Sequence, residues 1–272
     1  PLLPLLPGPQ DADRPWLVCY GIDERVELTG HVLSMWLAKI AGFVTSESVP
    51  GDGVHVALPP HWRSVAWACG TWLAGRSVLL GSNEEIRTAG LIPELSVAFT
   101  PESLYDEAEA QALVPPASLA LRWPEELPAL VLDGAADLMH YPDRFTPVST
   151  AADSVCLTDL TSEAAAPAAP GAPGGTAPSG GRLTVLTRAQ LAARVEAADA
   201  PAGSGRHSTS RAVLVRSPDT AQMLQEVLVA WRTGRTAVVL TPEAGDDVAA
   251  AAIRQEDIQE GITARAGGAQ SR

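Results

Sequence analysis

The stretch from Gly51 to Gly81, GDGVHVALPPHWRSVAWACGTWLAGRSVLLG, constrains the fold more than any other. Val54–Leu58 is a short apolar run rich in β-branched residues and closed by Pro59-Pro60. Pro60 suits the first turn of a helix, where a missing N–H costs nothing. Apolar residues then return at Trp62, Val65, Ala66, Cys69, Trp72 and Leu73, the i, i+3, i+4, i+7 spacing of one helical face. Gly75 stands where a left-handed residue ends a helix, and Val78–Leu80 begins another strand. Strand, helix and strand within about 30 residues form a βαβ unit, which requires a parallel pair.

The unit occurs twice. Between Ser208 and Glu243, Ser217-Pro218 takes the place of Pro59-Pro60, an offset of 158 residues (217 − 59). Trp231-Arg232-Thr233-Gly234 takes the place of Trp72-Leu73-Ala74-Gly75, an offset of 159 (234 − 75). The repeat extends upstream. Thr29 reads as the N-cap of a helix to about Val44, with Leu33, Trp36, Leu37, Ile40 and Val44 on one face. Thr187-x-x-Gln190 has capping-box spacing before a helix to about Ala198, and Thr187 lies 158 residues after Thr29 (187 − 29). Two copies of one unit predict an α/β protein of two related modules with mainly parallel sheets flanked by helices. The expected bounds are 14–160 and 183–266, with tails at 1–13 and 267–272. The span 161–182 is rich in Ala, Pro and Gly and reads as a mobile loop, because it has too little apolar surface to offset its ordering entropy.

Shorter elements fill the frame. Trp16–Tyr20 and Arg25–Leu28 read as a hairpin around Gly21–Glu24. Val97–Phe99, Leu119–Leu121, Leu130–Leu132, Val155–Leu157 and Ile262–Ala264 read as strands. Pro101–Leu113 reads as a helix with its acidic residues outward, Asp133–Tyr141 as a helical turn and Asp246–Arg254 as a short helix.

Charge and composition narrow the partners. A formal net charge of −13 opposes binding to a nucleic-acid backbone or an anionic membrane, both of which select basic patches. No apolar run reaches membrane-spanning length. Cys19, Cys69 and Cys156 are odd in number, far apart and each inside an apolar element, which predicts buried thiols and a cytoplasmic location. The opening PLLPLLPGP lacks the basic start of a secretory signal, and the missing initiator Met suggests that the true start lies upstream. Among 19 basic residues, Lys39 is the only lysine, so chemistry that needs a lysine has one candidate.

Residues Arg25–Leu80 resemble the opening of the adenylate-forming enzymes, the superfamily of acyl-CoA synthetases, luciferases and peptide-synthetase adenylation domains. The matching features are the helix after Glu27-Leu28-Thr29, the run Pro50-Gly51-Asp52-Gly53-Val54, Leu58-Pro59 and Leu73-Ala74-Gly75. Leu58-Pro59-Pro60-His61-Trp62 and Asp143-Arg144-Phe145 further resemble a small uncharacterised actinobacterial family of truncated relatives. The resemblance spans most of residues 15–265 and corresponds to the first half of a full-length enzyme. It implies a phosphate loop of the form T-S-G-T-T-G-x-P-K-G after the strand at Val155–Leu157, whose N–H groups, hydroxyls and lysine hold ATP. Thr161 and Ser162 match its first two residues; Glu163 and an alanine run then stand where glycines belong, and no lysine follows. Gly174-Gly175-Thr176 reads as linker. The chain also ends before the family's adenine and ribose motifs and its lid lysine.

The resemblance therefore implies a non-catalytic acyl-CoA synthetase-like protein. No catalytic residue, metal or resident cofactor is assigned, and Thr161 and Ser162 form a vestigial phosphate loop. Such a protein would act by binding a protein partner, a second copy of itself, or a small acyl or nucleotide ligand. The alternative is an ATP-dependent acyl-adenylating ligase, alone or as half of a split enzyme, for which ATP and AMP would be the nucleotides. Outside that loop, His61 reads as a partly exposed first-turn residue at a helix end that could attract an anion. Asp137, His140 and Asp143 read as solvated surface. Most of Trp36, Trp67, Trp72 and Trp231 should be core.

Overall fold

In a computed structural model of the chain, residues 2–8, 10–11, 13–161, 183–199 and 210–258 are described. The expected strand at Ile262–Ala264, Ser162 and almost all of the 161–182 loop lie outside these residues. The elements run β1 (Pro15–Tyr20), β2 (Arg25–Thr29), α1 (Gly30–Glu47), β3 (Val54–Ala57), α2 (Trp62–Leu73), β4 (Val78–Leu80), α3 (Asn83–Ala89), β5 (Leu95–Ala98), β6 (Gln111–Leu113), β7 (Leu132–Asp133), β8 (Val155–Asp159), β9 (Thr184–Thr187), α4 (Arg188–Asp199), β10 (Ala212–Val215), α5 (Thr220–Arg232), β11 (Thr236–Leu240) and α6 (Asp246–Gln255).

The expected repeat is present as two runs of equivalent elements, β1-β2-α1-β3-α2-β4 and β8-β9-α4-β10-α5-β11. Thr29 caps α1 by accepting from the Val32 N–H, and Thr187 accepts from the Gln190 N–H while Gln190 Oε1 accepts in return. Gly75 and Gly234 adopt φ of +78° and +71° after α2 and α5, the left-handed conformation that lets each helix stop and the chain turn into a parallel strand.

The two copies do not form separate sheets. A four-stranded sheet has the order β10-β11-β1-β2, and a seven-stranded sheet has the order β7-β6-β5-β3-β4-β8-β9. The antiparallel pair that opens each copy is attached to the parallel pair that closes the other. β1 lies parallel to β11, and β8 lies parallel to β4. The boundary expected at 161–182 thus divides the repeats in sequence but not the sheets in space. The register repeats as well. Leu17 faces Leu28 and Pro15 faces Thr29 across one irregular step; Leu157 faces Leu186 and Val155 faces Thr187 across the other. A bulge leaves a residue without its regular ladder partner. At both bulges the skipped residue's carbonyl accepts from a tryptophan of the opposite copy: Trp231 Nε1 donates to Trp16 O, and Trp72 Nε1 donates to Cys156 O, each at 2.8 Å.

Strand alternation then builds the layers. Leu17, Cys19, Ala237, Val239, Val78 and Leu80 point into one cluster that also contains Leu33 and Ile40 of α1, Val65 and Cys69 of α2, Leu191 of α4 and Leu224 of α5. Val18, Tyr20, Val238 and Leu240 point the other way, against Ala249 and Ala252 of α6. Leu79 points outward from the larger sheet against Ile86 of α3. Every residue of α2 from Trp62 to Trp72 is buried, as a helix enclosed between two sheets requires. All three cysteines are free and buried, as expected.

Several expectations fail. Of the strand expected at Leu130–Leu132 only Leu132 is in β7, and Leu130 is exposed with φ of +66°. Pro101–Leu113 is not a helix: a 3-10 turn at Pro101–Ser103 leads to β6, because Leu104 and Tyr105 are pulled inward and the Tyr105 N–H donates to Ser96 Oγ. The helix-forming residues between them cannot override that anchoring. Leu119–Leu121 is an exposed loop, not a strand. Pro60 lies outside α2, whose N-cap is His61. One element was missed. α3 has a Ser82-x-x-Glu85 capping box and a left-handed Gly90, both readable from sequence.

Candidate functional site

Two clefts lie near the N-termini of the central helices, one beside α2 and one beside α5. The second-copy cleft, about 480 Å³, lies where β8 ends and is lined by residues that include Asp159, Thr161, Thr184, Arg194, Asp219 and Gln222. This is the position expected for a phosphate loop, and Thr161 is part of it. Both of Thr161's donors are already engaged. Its N–H and Oγ–H donate to the same oxygen, Asp159 Oδ1, at 3.0 and 2.6 Å. Asp219 accepts from the Gln222 N–H at 2.7 Å and so caps α5 with a carboxylate at the N-terminus.

Among the described lining residues, two carboxylates therefore face one cation, Arg194. At an effective dielectric of about 20, a carboxylate about 5 Å from a phosphate oxygen costs about 3 kcal/mol per charge pair. The only lysine is elsewhere: Lys39 Nζ pairs with Asp143 Oδ1 at 2.7 Å and donates to Tyr141 O. The described residues of this cleft do not fit a triphosphate.

The first-copy cleft, about 390 Å³, opens beyond the ends of β1 and β11. Its lining includes Ile22, Asp23, Glu24, Pro60, His61, Phe99, Pro116 and Glu243. His61 is buried rather than partly exposed. Its Nδ1 accepts from the Arg63 N–H at 3.1 Å, so the neutral ring carries its proton on Nε2. Nε2 lies 3.3 Å from Ser118 Oγ, and Ser118 Oγ donates to Glu24 Oε1 at 2.7 Å. Serine, histidine and carboxylate are thus adjacent, but the proton order runs from His61 through Ser118 to Glu24. A nucleophilic serine would need the opposite order, with the ring accepting its proton. At the helix start the His61 N–H donates to Ser64 Oγ and the Arg63 N–H to His61 Nδ1, so neither is open to an anion.

Burial pushes the His61 imidazole down to about 4, with Arg63 acting in the same direction and Glu24 opposing. The unfolded chain binds this proton below its ordinary value of 6.5 and the folded chain does not. Stability from His61 is therefore complete above pH 6.5 and is lost as pH falls from 6.5 to 4. The loss expected between pH 7 and pH 4.5 is about 2 kcal/mol. Urea unfolding at the two pH values should show His61→Gln losing that much less than the parent chain; an identical loss in both would contradict a buried neutral ring. Sequence reasoning missed Glu24 and Ser118 because 94 residues separate them and only the fold joins them. Asp137 accepts from the Asp133 N–H and Asp143 pairs with Lys39, so neither acts together with His140.

No protein-family model matches the chain. Among curated proteins, a TIGR03089 family protein of Mycobacterium tuberculosis is 27% identical over 129 residues, covering 46% of this chain and 51% of that protein. Among solved structures, an acyl-CoA synthetase of Brucella canis has a TM-score of 0.69 at 17% identity over 93% of this chain and 48% of its own. Acetoacetyl-CoA synthetase of Streptomyces lividans has a TM-score of 0.64 at 17% identity, covering 88% and 38%. The anthranilate CoA ligase AuaEII in complex with anthranoyl-AMP has a TM-score of 0.64 at 14% identity, covering 94% and 48%. The fold is that of the N-terminal part of acyl-CoA synthetases, as the resemblance implied. The chain spans about half the length of the curated relative and of the Brucella canis enzyme, and less of the Streptomyces lividans one. Among the described residues, no helix is long and apolar enough to cross a membrane.

Proposed function

We propose that this protein is a non-catalytic relative of the acyl-CoA synthetases that acts by binding, holding a partner or a small ligand on a scaffold that does not activate it. The observation that carries this reading is the double hydrogen bond from Thr161 to Asp159 Oδ1. The N–H and hydroxyl that would meet a phosphate are turned onto a carboxylate, and a triphosphate would have to displace an anion to reach them. The second carboxylate at Asp219 and the commitment of Lys39 to Asp143 support it. A cytoplasmic location and a protein partner or self-association belong to the same proposal.

Isothermal titration with ATP and Mg²⁺, and separately with AMP, tests it. The expected result is no saturable heat at sub-millimolar nucleotide. Sub-millimolar binding of ATP together with acyl-dependent pyrophosphate release would contradict it and would favour an acyl-adenylating ligase, alone or completed by another chain.

A further inference from the structure

The first-copy cleft opens beyond the carboxyl ends of the parallel neighbours β1 and β11. Ligands of open α/β sheets bind in crevices outside the carboxyl ends of strands. Four prolines, Pro59, Pro60, Pro116 and Pro242, wall it together with Phe99. Its volume suits a molecule of a few rings or fewer. Asp23, Glu24 and Glu243 line it, and among the described residues no lysine or arginine does.

Glu24 is positioned by Ser118. Ser118 donates from Oγ to Oε1 and from its N–H to Oε2, at 2.7 and 3.2 Å, so each oxygen keeps a free lone pair. The Glu24 side chain is 37% exposed. The loop bearing Ser118 is fixed from behind by Arg63, which is 2% exposed and whose Nη2 donates to the carbonyls of Ala117, Ser118 and Ala120. Burying a guanidinium costs several kcal/mol, and here these hydrogen bonds go to the 117–120 loop, of which Ala117 lines the cleft. Among the described lining residues no lysine or arginine offers an anion a charge, and the His61 and Arg63 N–H groups are already engaged. Among the described residues, no group of three potential ligands could hold a metal ion.

We propose that this cleft binds a small organic cation, a protonated amine on a flat apolar body, with the ammonium on Glu24 and the ring against Phe99 and the prolines. The probe is phenethylamine at pH 7, titrated by calorimetry into the full chain, with 2-phenylethanol and 3-phenylpropionate as neutral and anionic counterparts. Phenethylamine should saturate in the low-millimolar range or below, as about nine heavy atoms permit. The neutral and anionic counterparts should bind at least tenfold more weakly. Glu24→Gln keeps an acceptor for Ser118 but loses the charge, and should weaken the amine at least tenfold. Glu243→Arg changes an exposed side chain, places a cation at the cleft, and should weaken it comparably if the first variant does not fold. Absence of saturation by about 20 mM amine, equal binding of the alcohol, or unchanged binding in folded variants would overturn the proposal. The nucleotide titration reads the other cleft, so the two ideas fail separately.

Discussion

Fragments ending at Thr161 and starting at Leu183 are expected to be unfolded when separate and to fold when mixed. The reason is the exchange of opening strand pairs. The first fragment would keep β1 and β2 but lose β10 and β11, the parallel pair that completes their sheet. The second would keep those two strands but lose β1, and β9 would lose β8. Leu17, Val18, Val26 and Leu28 of the first hairpin are all buried in the intact chain. Each such side chain contributes about 1.5–3 kcal/mol through burial. Exposing a whole hairpin of them removes as much as the 5–15 kcal/mol by which a domain of ordinary stability exceeds its unfolded state. Circular dichroism of each fragment and of the equimolar mixture reads the result. A first fragment that unfolds cooperatively by itself, with unchanged stability on adding the second, would refute the exchange.

The second large effect is at Trp72. Its side chain is fully buried between the sheets, and its Nε1–H satisfies Cys156 O at the bulge of β8. Trp72→Ala removes a large core side chain and should cost about 3–5 kcal/mol in urea unfolding. Trp72→Phe keeps most of the packing but leaves that carbonyl without its donor, which should cost about 1–3 kcal/mol. Trp231→Phe, which frees Trp16 O, should cost a similar amount. If both phenylalanine variants were within about 0.5 kcal/mol of the parent, the tryptophan bonds would not be what secures the bulges.

Much of this was legible in the chain because local chemistry wrote it. The caps at Thr29 and Thr187 and the left-handed glycines at Gly75 and Gly234 are short-range devices, and their spacing revealed the duplication before any contact was known. Strand exchange was not legible. Local patterning specifies that Trp16–Tyr20 is a buried strand but not which copy's parallel pair it joins. The acidic run at Asp106–Glu109 favoured a helix, and inward anchoring of Leu104 and Tyr105 defeated it. His61 looked like a surface residue because its burial depends on Phe99, against which its ring packs edge-on, and on the loop held by Arg63. At the vestigial phosphate loop, Thr161 was identifiable by resemblance. Its engagement by Asp159, two residues upstream, depended on how β8 ends.

ATP–pyrophosphate exchange, run with a panel of short-chain, aromatic and long-chain carboxylic acids, tests the central claim most directly. It detects acyl adenylation without requiring the later transfer step. A cleft whose first donors are bound to Asp159 should give exchange indistinguishable from a no-protein control with every acid. Exchange that rises with one acid and disappears in Thr161→Ala would show that the triphosphate is held there after all.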